Sequence, residues 1–315
     1  MQRTLFATVA TAALVLGITD PARAVDKKVF AMVPKALGVP FYANAEKGCK
    51  EEAAKIGADC LFTGPAQADD AEQTRIVRDL ITKKVAGIAI APNNADSITN
   101  VISAALTKNI PVITFDSDAP KSKRIAFVGT NNEAGGVAAG EAFAKALPNG
   151  GTYAVLTGGL SAANLNDRIK GFKSKLNNAF KEVSGSPFAC NDDSNVGIQL
   201  IQDILAKNPN LDGIFFSGGW PMFAPEAYIR AVKNKAADLK AGKFVIVSFD
   251  TLPNQIKLLK DGYATTLVGQ RPLAMGVDSV DQLDKLSKGE KVPPVTDTGV
   301  DVVDASNVGT FVAGQ

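Results

Sequence analysis

Two kinds of hydrophobic pattern alternate along the chain. Short apolar runs rich in β-branched residues read as strands buried on both faces of a parallel sheet, and longer stretches with apolar positions every three to four residues read as helices that cover it. VFAMV (Val29–Val33) is the first strand, and the spacing after it predicts a helix over Phe41–Ile56. Ala45, Gly48, Cys49, Ala53 and Ile56 fall on one face of that helix, and Gly57 is placed to stop it. DCLFTG, a helix over Asp69–Lys84, VAGIAIAPN, a helix over Asp96–Lys108, IPVITFD and RIAFVGT (Arg124–Thr130) continue the alternation. A helix over Asn131–Leu147 leads into PNGG, and the series restarts with GTYAVLTGG, a helix over Asn166–Phe180 and the strand SPFAC. Asn195–Lys207, Phe223–Lys235, Leu252–Lys260 and Leu273–Lys288 are the later helices, with LDGIFFSGG, KFVIVSFD and ATTLVGQ as the strands between them. The tail, with Pro293, Pro294 and VDVVD, reads as irregular or edge-like.

Regular strand–helix alternation with short connections is the mark of a doubly wound α/β sheet. Here it predicts two such units of similar size meeting near Thr130, each with helices on both faces. The length of 315 residues suits two domains.

One element recurs. IPVITFDSD climbs through apolar residues to Phe115 and ends on Asp116, and KFVIVSFDTLP does the same through Phe249 to Asp250. Ligands of open α/β sheets sit beyond the carboxyl ends of the strands, so two Phe-Asp pairs at two such ends suggest half-sites facing one ligand. The blander alternative is that each Asp merely caps the turn that follows.

Composition narrows the chemistry. The chain has no histidine, which removes Ser-His-Asp and Cys-His catalysis, His-ligated zinc and the commonest neutral-pH base. A charged start at Arg3, an apolar run over Leu5–Ile18 and the small-x-small sequence Ala22-Arg23-Ala24 predict a signal peptide over residues 1–24, cleaved after Ala24, and a periplasmic product. The run is short for a bilayer span, which needs roughly 20 residues. Losing Arg3, Arg23 and Asp20 with that leader leaves 32 basic and 31 acidic residues of the full chain's 34 and 32, which argues against a nucleic-acid surface. Three cysteines in an oxidising compartment allow at most one internal bridge. Cys49 lies about two helical turns before its helix ends, and Cys60 lies about 10 Å back up the next strand, so their heights match. Whether helix and sheet approach within the ~7 Å a bridge needs is left open by the sequence. Cys190 reads as a small buried apolar residue. GGVAAG (Gly135–Gly140) reads as close helix packing, and NDDSN (Asn191–Asn195) as a helix cap.

VPFYANAEKGCKEEAAKIG, NIPVITFDSD, VGTNNEAGGVAAGEAFAK, DRIKGF, VIVSFDTLP and LVGQRPLAMG, in this order and spacing behind a leader, resemble the type I periplasmic sugar-binding proteins of ABC importers, the group around ribose-binding protein. The resemblance covers essentially the whole mature chain. It implies two lobes joined by a three-strand hinge, a first lobe of residues 26–129 plus 271–297 and a second of 130–270 plus 298–315. It implies capture of a monosaccharide or sugar alcohol between the lobes by a monomer, delivery to permease subunits, use by a chemoreceptor in some cases, and no cofactor. Sugars present hydroxyls around apolar C–H faces, so carboxylates, amides and aromatic rings suit them. Phe41 and Tyr42 match the family's aromatic pair, Asp116 and Asp250 its carboxylates from opposite lobes, and Gln270 its hinge glutamine. Asn166 falls, by register from DRIKGF, where ribose-binding protein has a ligand-binding arginine, and Ser117 stands where it has another. Arg168 is expected to tie its helix to its surroundings, and Lys35 to compensate weakly for Pro34. Loss of two rigid guanidiniums speaks against ribose itself. Trp220, where the family usually offers Asn-Asp, is read as stacking on ligand, with a plug between lobes as the alternative. Two rival functions fit the same residues: a secreted hydrolase using Asp116 and Asp250 as an acid–base pair, and a receptor for a furanosyl signal such as autoinducer-2.

Overall fold

The computed structural model describes residues 27–312, and the leader expected over residues 1–24 lies outside them. In the first half, β1 (Val29–Val33), α1 (Pro40–Lys55), β2 (Asp59–Phe62), α2 (Asp70–Thr82), β3 (Gly87–Ile90), α3 (Thr99–Thr107), β4 (Val112–Phe115) and β5 (Phe127–Gly129) follow in turn. The chain continues through α4 (Asn132–Ala146), β6 (Gly151–Thr157), α5 (Ala163–Ser174), β7 (Phe180–Glu182), β8 (Phe188–Ala189), α6 (Ser194–Lys207) and β9 (Gly213–Phe216). A 3-10 turn at Trp220–Phe223 leads to α7 (Pro225–Ala231), α8 (Ala236–Lys240), β10 (Val245–Phe249), α9 (Pro253–Lys260) and β11 (Thr266–Gly269). The last elements are α10 (Pro272–Ser287), β12 (Val295–Asp297) and β13 (Asp301–Asp304).

Two sheets result. The first runs β12-β5-β4-β3-β1-β2 and is parallel throughout; the second runs β13-β11-β10-β9-β6-β7, with only β13 antiparallel. The two α/β units with parallel sheets match the fold expected from the hydrophobic pattern. VITF, GIFF and VIVSF are buried at every position, as strands covered on both faces must be. The tail supplies the outermost strand of each sheet.

The chain passes between sheets three times: after β5 at 130–131, after β11 at 270–271, and between β12 and β13 at 298–300. These crossings are tied together. Asp297 Oδ1 accepts from the backbone N–H of Asn131 (3.1 Å) and Gly299 (2.9 Å), and Arg271 makes a two-pronged pair with Asp301 (2.9 and 3.2 Å).

Each helix that arrives through the hinge packs closely on the first helix of its new sheet. A methyl group at Gly136 of α4 would collide with the carbonyl of Arg168 on α5, and one at Gly276 of α10 would collide with that of Ala45 on α1. The GGVAAG stretch is therefore a helix-packing surface, as expected.

The helix expected over Asn166–Phe180 is displaced, since α5 starts at Ala163 and stops at Ser174. Asn177 ends it: its side chain accepts from Ala179 N (2.9 Å) and its carbonyl from Phe180 N (3.0 Å), a local turn that competes with the helix. Cys49 of α1 and Cys60 of β2 are disulfide-bonded with Cα atoms 5.9 Å apart, and Cys190 is a buried free thiol.

Candidate functional site

All the strand ends that matter point into the space between the sheets. In the first sheet β1 is flanked by β2 and β3, and in the second β6 is flanked by β7 and β9, so each sheet reverses its winding there. Such reversal points open a crevice at the carboxyl ends. Side chains from these ends surround about 370 Å³ of space, open mouth included. Of the residues expected from sequence, Phe41, Tyr42, Asp116, Trp220, Asp250 and Gln270 line it. Lys35, Val39, Asn164, Leu165, Arg168, Asp192, Gly218 and Phe223 complete the wall.

Asp116 and Asp250 occupy equivalent places. Each follows the last residue of a buried strand, has positive φ (57° and 74°), and donates its N–H to the neighbouring strand, at Val128 O (3.1 Å) and Val268 O (2.8 Å). Neither caps a helix. At the start of α9 that task falls to Gln255, whose Oε1 accepts from Leu252 N (3.1 Å). The carboxylates are thus turned inward with their own partners. Asp116 accepts from Tyr42 Oη (2.8 Å) and Asn164 Nδ2 (3.3 Å), and Asp250 from Gln270 Nε2 (2.7 Å) and Gly219 N (3.1 Å). Burial pushes the Asp250 carboxyl above the usual carboxylate range, with Arg168 and the Gln270 hydrogen bond pulling the other way. Burial, then the neighbouring Asp116 charge, holds the Tyr42 phenol well above its ordinary value, so it stays a donor.

Arg168 is the centre of the arrangement. It is 2% exposed; its Nε donates to Asn132 Oδ1 (2.8 Å), Nη1 to Ser217 O (2.9 Å) and Nη2 to Gln270 Oε1 (2.6 Å). Its Nη2 lies 3.8 Å from Asp116, and its guanidinium stacks 4.2 Å from the centre of the Phe249 ring. Burial lowers its pKa, countered first by Asp116 and then by Asp250. The expected tie to its surroundings exists, and the same side chain also lines the cavity. The site therefore keeps a guanidinium, which removes part of the sequence argument against ribose.

Asn166 is a correction. Its Nδ2 donates to Leu160 O (3.0 Å) on the exposed side of α5, away from the cavity. Asn164 points inward instead, because at 100° per residue positions 164 and 168 share a helix face and 166 lies nearly opposite. Asn164 bridges the two halves: Lys35 Nζ donates to its Oδ1 (2.9 Å) while its Nδ2 reaches Asp116. Lys35 is itself 3% exposed, held on a turn that Gln73 clamps through Pro34 O (3.0 Å) and Ala91 O (2.8 Å). The NDDSN reading divides. Asp193 caps α6 through Asn195 N (2.7 Å) and Val196 N (3.0 Å), as expected, while Asp192 turns into the cavity, which spacing alone could not reveal. Trp220 lies across Gly218 and Gly158, where any Cβ would strike its ring.

The chemistry on offer is binding. Three carboxylates, two amides, a phenol and two cations surround a small space edged by Phe41, Trp220 and Phe223. Among the described residues no three His, Cys, Asp or Glu side chains are gathered to hold a metal ion.

Comparison with known proteins agrees with this geometry. Residues 30–291 match the model of the periplasmic binding protein domain. An ABC transporter solute-binding protein from Burkholderia graminis C4D1M, solved with D-arabinose, is 36% identical and superposes with a TM-score of 0.82, covering 90% of this chain and 98% of that one. One from Agrobacterium vitis with bound D-fucose is 31% identical with a TM-score of 0.82, covering 90% and 97%. The ribose import binding protein of Escherichia coli (strain K12) is 28% identical over 89% of this chain and 92% of its own.

Proposed function

The chain belongs to the periplasmic binding protein family, and from that premise we propose that it captures a neutral monosaccharide or sugar alcohol between its two lobes and presents it to an ABC importer. The observation that carries this reading is the pair Asp116 and Asp250, inward-facing from equivalent strand ends in the two sheets and joined through Arg168 and Gln270. Charged acceptors take hydroxyl donors well, and the aromatic residues offer flat surface to the C–H faces of a ring. Sugars named for relatives, D-arabinose and D-fucose among them, are of this class.

Asp116, Lys35 and Tyr42 come with the first sheet, Asn164, Arg168, Trp220 and Asp250 with the second, and Gln270 lies on a crossing between them. The contacts Lys35–Asn164, Asn164–Asp116 and Ala95 N to Ser161 O (3.5 Å) then hold the lobes shut over the ligand, and movement at the three crossings releases it. We assign residues 26–129 and 271–297 to one lobe and 130–270 and 298–315 to the other. The exported chain is expected to begin at Val25 and to act as a monomer, which N-terminal sequencing and light scattering check.

The hydrolase reading is tested by incubation with D-arabinose, D-ribose, D-allose and a disaccharide panel, followed by chromatography of the sugars. Recovery of every sugar unchanged is expected. Any catalytic breakdown would reverse the assignment.

A further inference from the structure

Asp192 stands apart from the other two carboxylates of the cavity. Asp116 and Asp250 each accept from two protein donors, whereas Oδ1 of Asp192 is buried and has no hydrogen-bond partner among the described residues. That atom lies against Gly158 at the end of β6, so closely that a Cβ there would overlap it. Glycine at 158 makes room for the carboxylate at the point where the second sheet reverses its winding. The backbone holds it there with φ of 49° at Asn191 and 61° at Asp192, a left-handed pair outside any helix. An unpaired buried carboxylate oxygen is costly unless a partner arrives.

The charges around it bear on what that partner is. Lys35 and Arg168 are the cations of the cavity, and Asp116, Asp192 and Asp250 the anions, so the wall carries one more negative charge than positive. Lys35 Nζ is directed to Asn164, and Arg168 spends Nε, Nη1 and Nη2 on protein acceptors. Both cations keep N–H groups for a ligand, yet the carboxylates outnumber them three to two. Burial raises the Asp192 carboxyl pKa and Asp116 adds to the rise, while Lys35, Arg168 and the Gly159 backbone N–H directed at the carboxylate oppose it.

We propose that Asp192 is a specificity-determining ligand contact: its free oxygen accepts one particular hydroxyl of a neutral sugar or polyol, on the ligand edge that faces β6, and it turns away sugars bearing a carboxylate or phosphate there. This rests on the sugar-binding reading above and adds the residue that chooses among neutral sugars.

The test is calorimetry on the mature chain and on Asp192→Gly, with D-arabinose, D-ribose, D-allose, D-fucose and D-galacturonate, then the monodeoxy analogues of the tightest binder. Glycine removes the carboxylate without straining a backbone at φ 61°. Asp192→Asn, which tolerates the same φ, serves as the shape-preserving control, and its melting temperature without sugar is expected to be no lower than wild type's. Wild type should bind a neutral sugar and reject the uronate, and Asp192→Gly should bind that sugar at least tenfold more weakly. One monodeoxy analogue should lose at least tenfold on wild type yet bind Asp192→Gly as well as the parent sugar does, a coupling that loss of structure would not produce. Equal affinity of wild type and Asp192→Gly for the sugar, or equal deoxy penalties in both, would overturn the assignment. Failure of wild type to bind any neutral sugar would remove the sugar-binding reading and this inference with it.

Discussion

Asp116 and Asp250 hold left-handed backbone conformations at matching points of two sheets. Such conformations cost about 1–3 kcal/mol each in a non-glycine residue and persist where the surroundings fix them. Asparagine tolerates that backbone, so Asp116→Asn and Asp250→Asn test the charge alone. Each should weaken sugar binding at least tenfold by calorimetry; unchanged affinity in both would remove them from the site. Asn164→Ala should weaken binding about as much, and Asn166→Ala should leave it within twofold. The raised Asp250 carboxyl makes the stability of the sugar-free fold depend on pH. Above the unfolded carboxylate pKa the sugar-free fold holds more protons than the unfolded chain, so this group's contribution to stability falls as pH rises through that window. A ligand that needs the ionised acceptor reverses the trend, so the sugar-induced rise in melting temperature should grow from pH 4.5 to pH 7; a rise that shrinks over that range would contradict it. The two aspartates were legible because the chain repeats strand, Phe and Asp. Asn166 misled because a two-residue slip on a helix turns a side chain to the opposite face, and no residue near DRIKGF reports that phase.

Helix α5 carries both Asn164 and Arg168 into the cavity, and its seat depends on glycine in α4. Gly136→Ala places a methyl group on the carbonyl of Arg168, where overpacking typically costs about 1–3 kcal/mol. It should lower the unfolding free energy by that amount and weaken sugar binding as well, though residue 136 lies outside the cavity lining. Stability lost with affinity intact would show that α5 does not set the site. The Cys49–Cys60 bridge pins α1, which bears Phe41 and Tyr42, to β2. Closing so small a loop contributes about 3 kcal/mol in the chain-entropy model, so a Cys49→Ala, Cys60→Ala double variant should lose about that much unfolding free energy in urea titrations. Burial lifts the Cys190 thiol to about 12, so it should resist alkylation until the chain unfolds. Periodicity located the helices that cover the sheets, since burial of one face dominates them. It could not locate β12, only three residues long, whose one strand partner lies more than 160 positions away.

At the scale of the whole molecule, three crossings join two sheets around a cavity built from both. Arg168 and Gln270 connect the parts, since Gln270 on a crossing donates to Asp250 and accepts from Arg168, which faces Asp116. Which strands share a sheet was not legible in the local pattern, because the return of the chain through the hinge is a long-range event. The family resemblance implied it, and the sheet order shows it. Trp220, the chain's one tryptophan, lines the cavity, so its emission is placed to respond to ligand there. The decisive measurement is a fluorescence titration of the mature chain with D-arabinose, D-ribose, D-allose and D-fucose. The account predicts a saturable change in Trp220 emission with at least one of them, together with stabilisation of about 2.7 kcal/mol at 100 times the dissociation constant. Flat emission and an unmoved melting temperature with every one of the four sugars would contradict it.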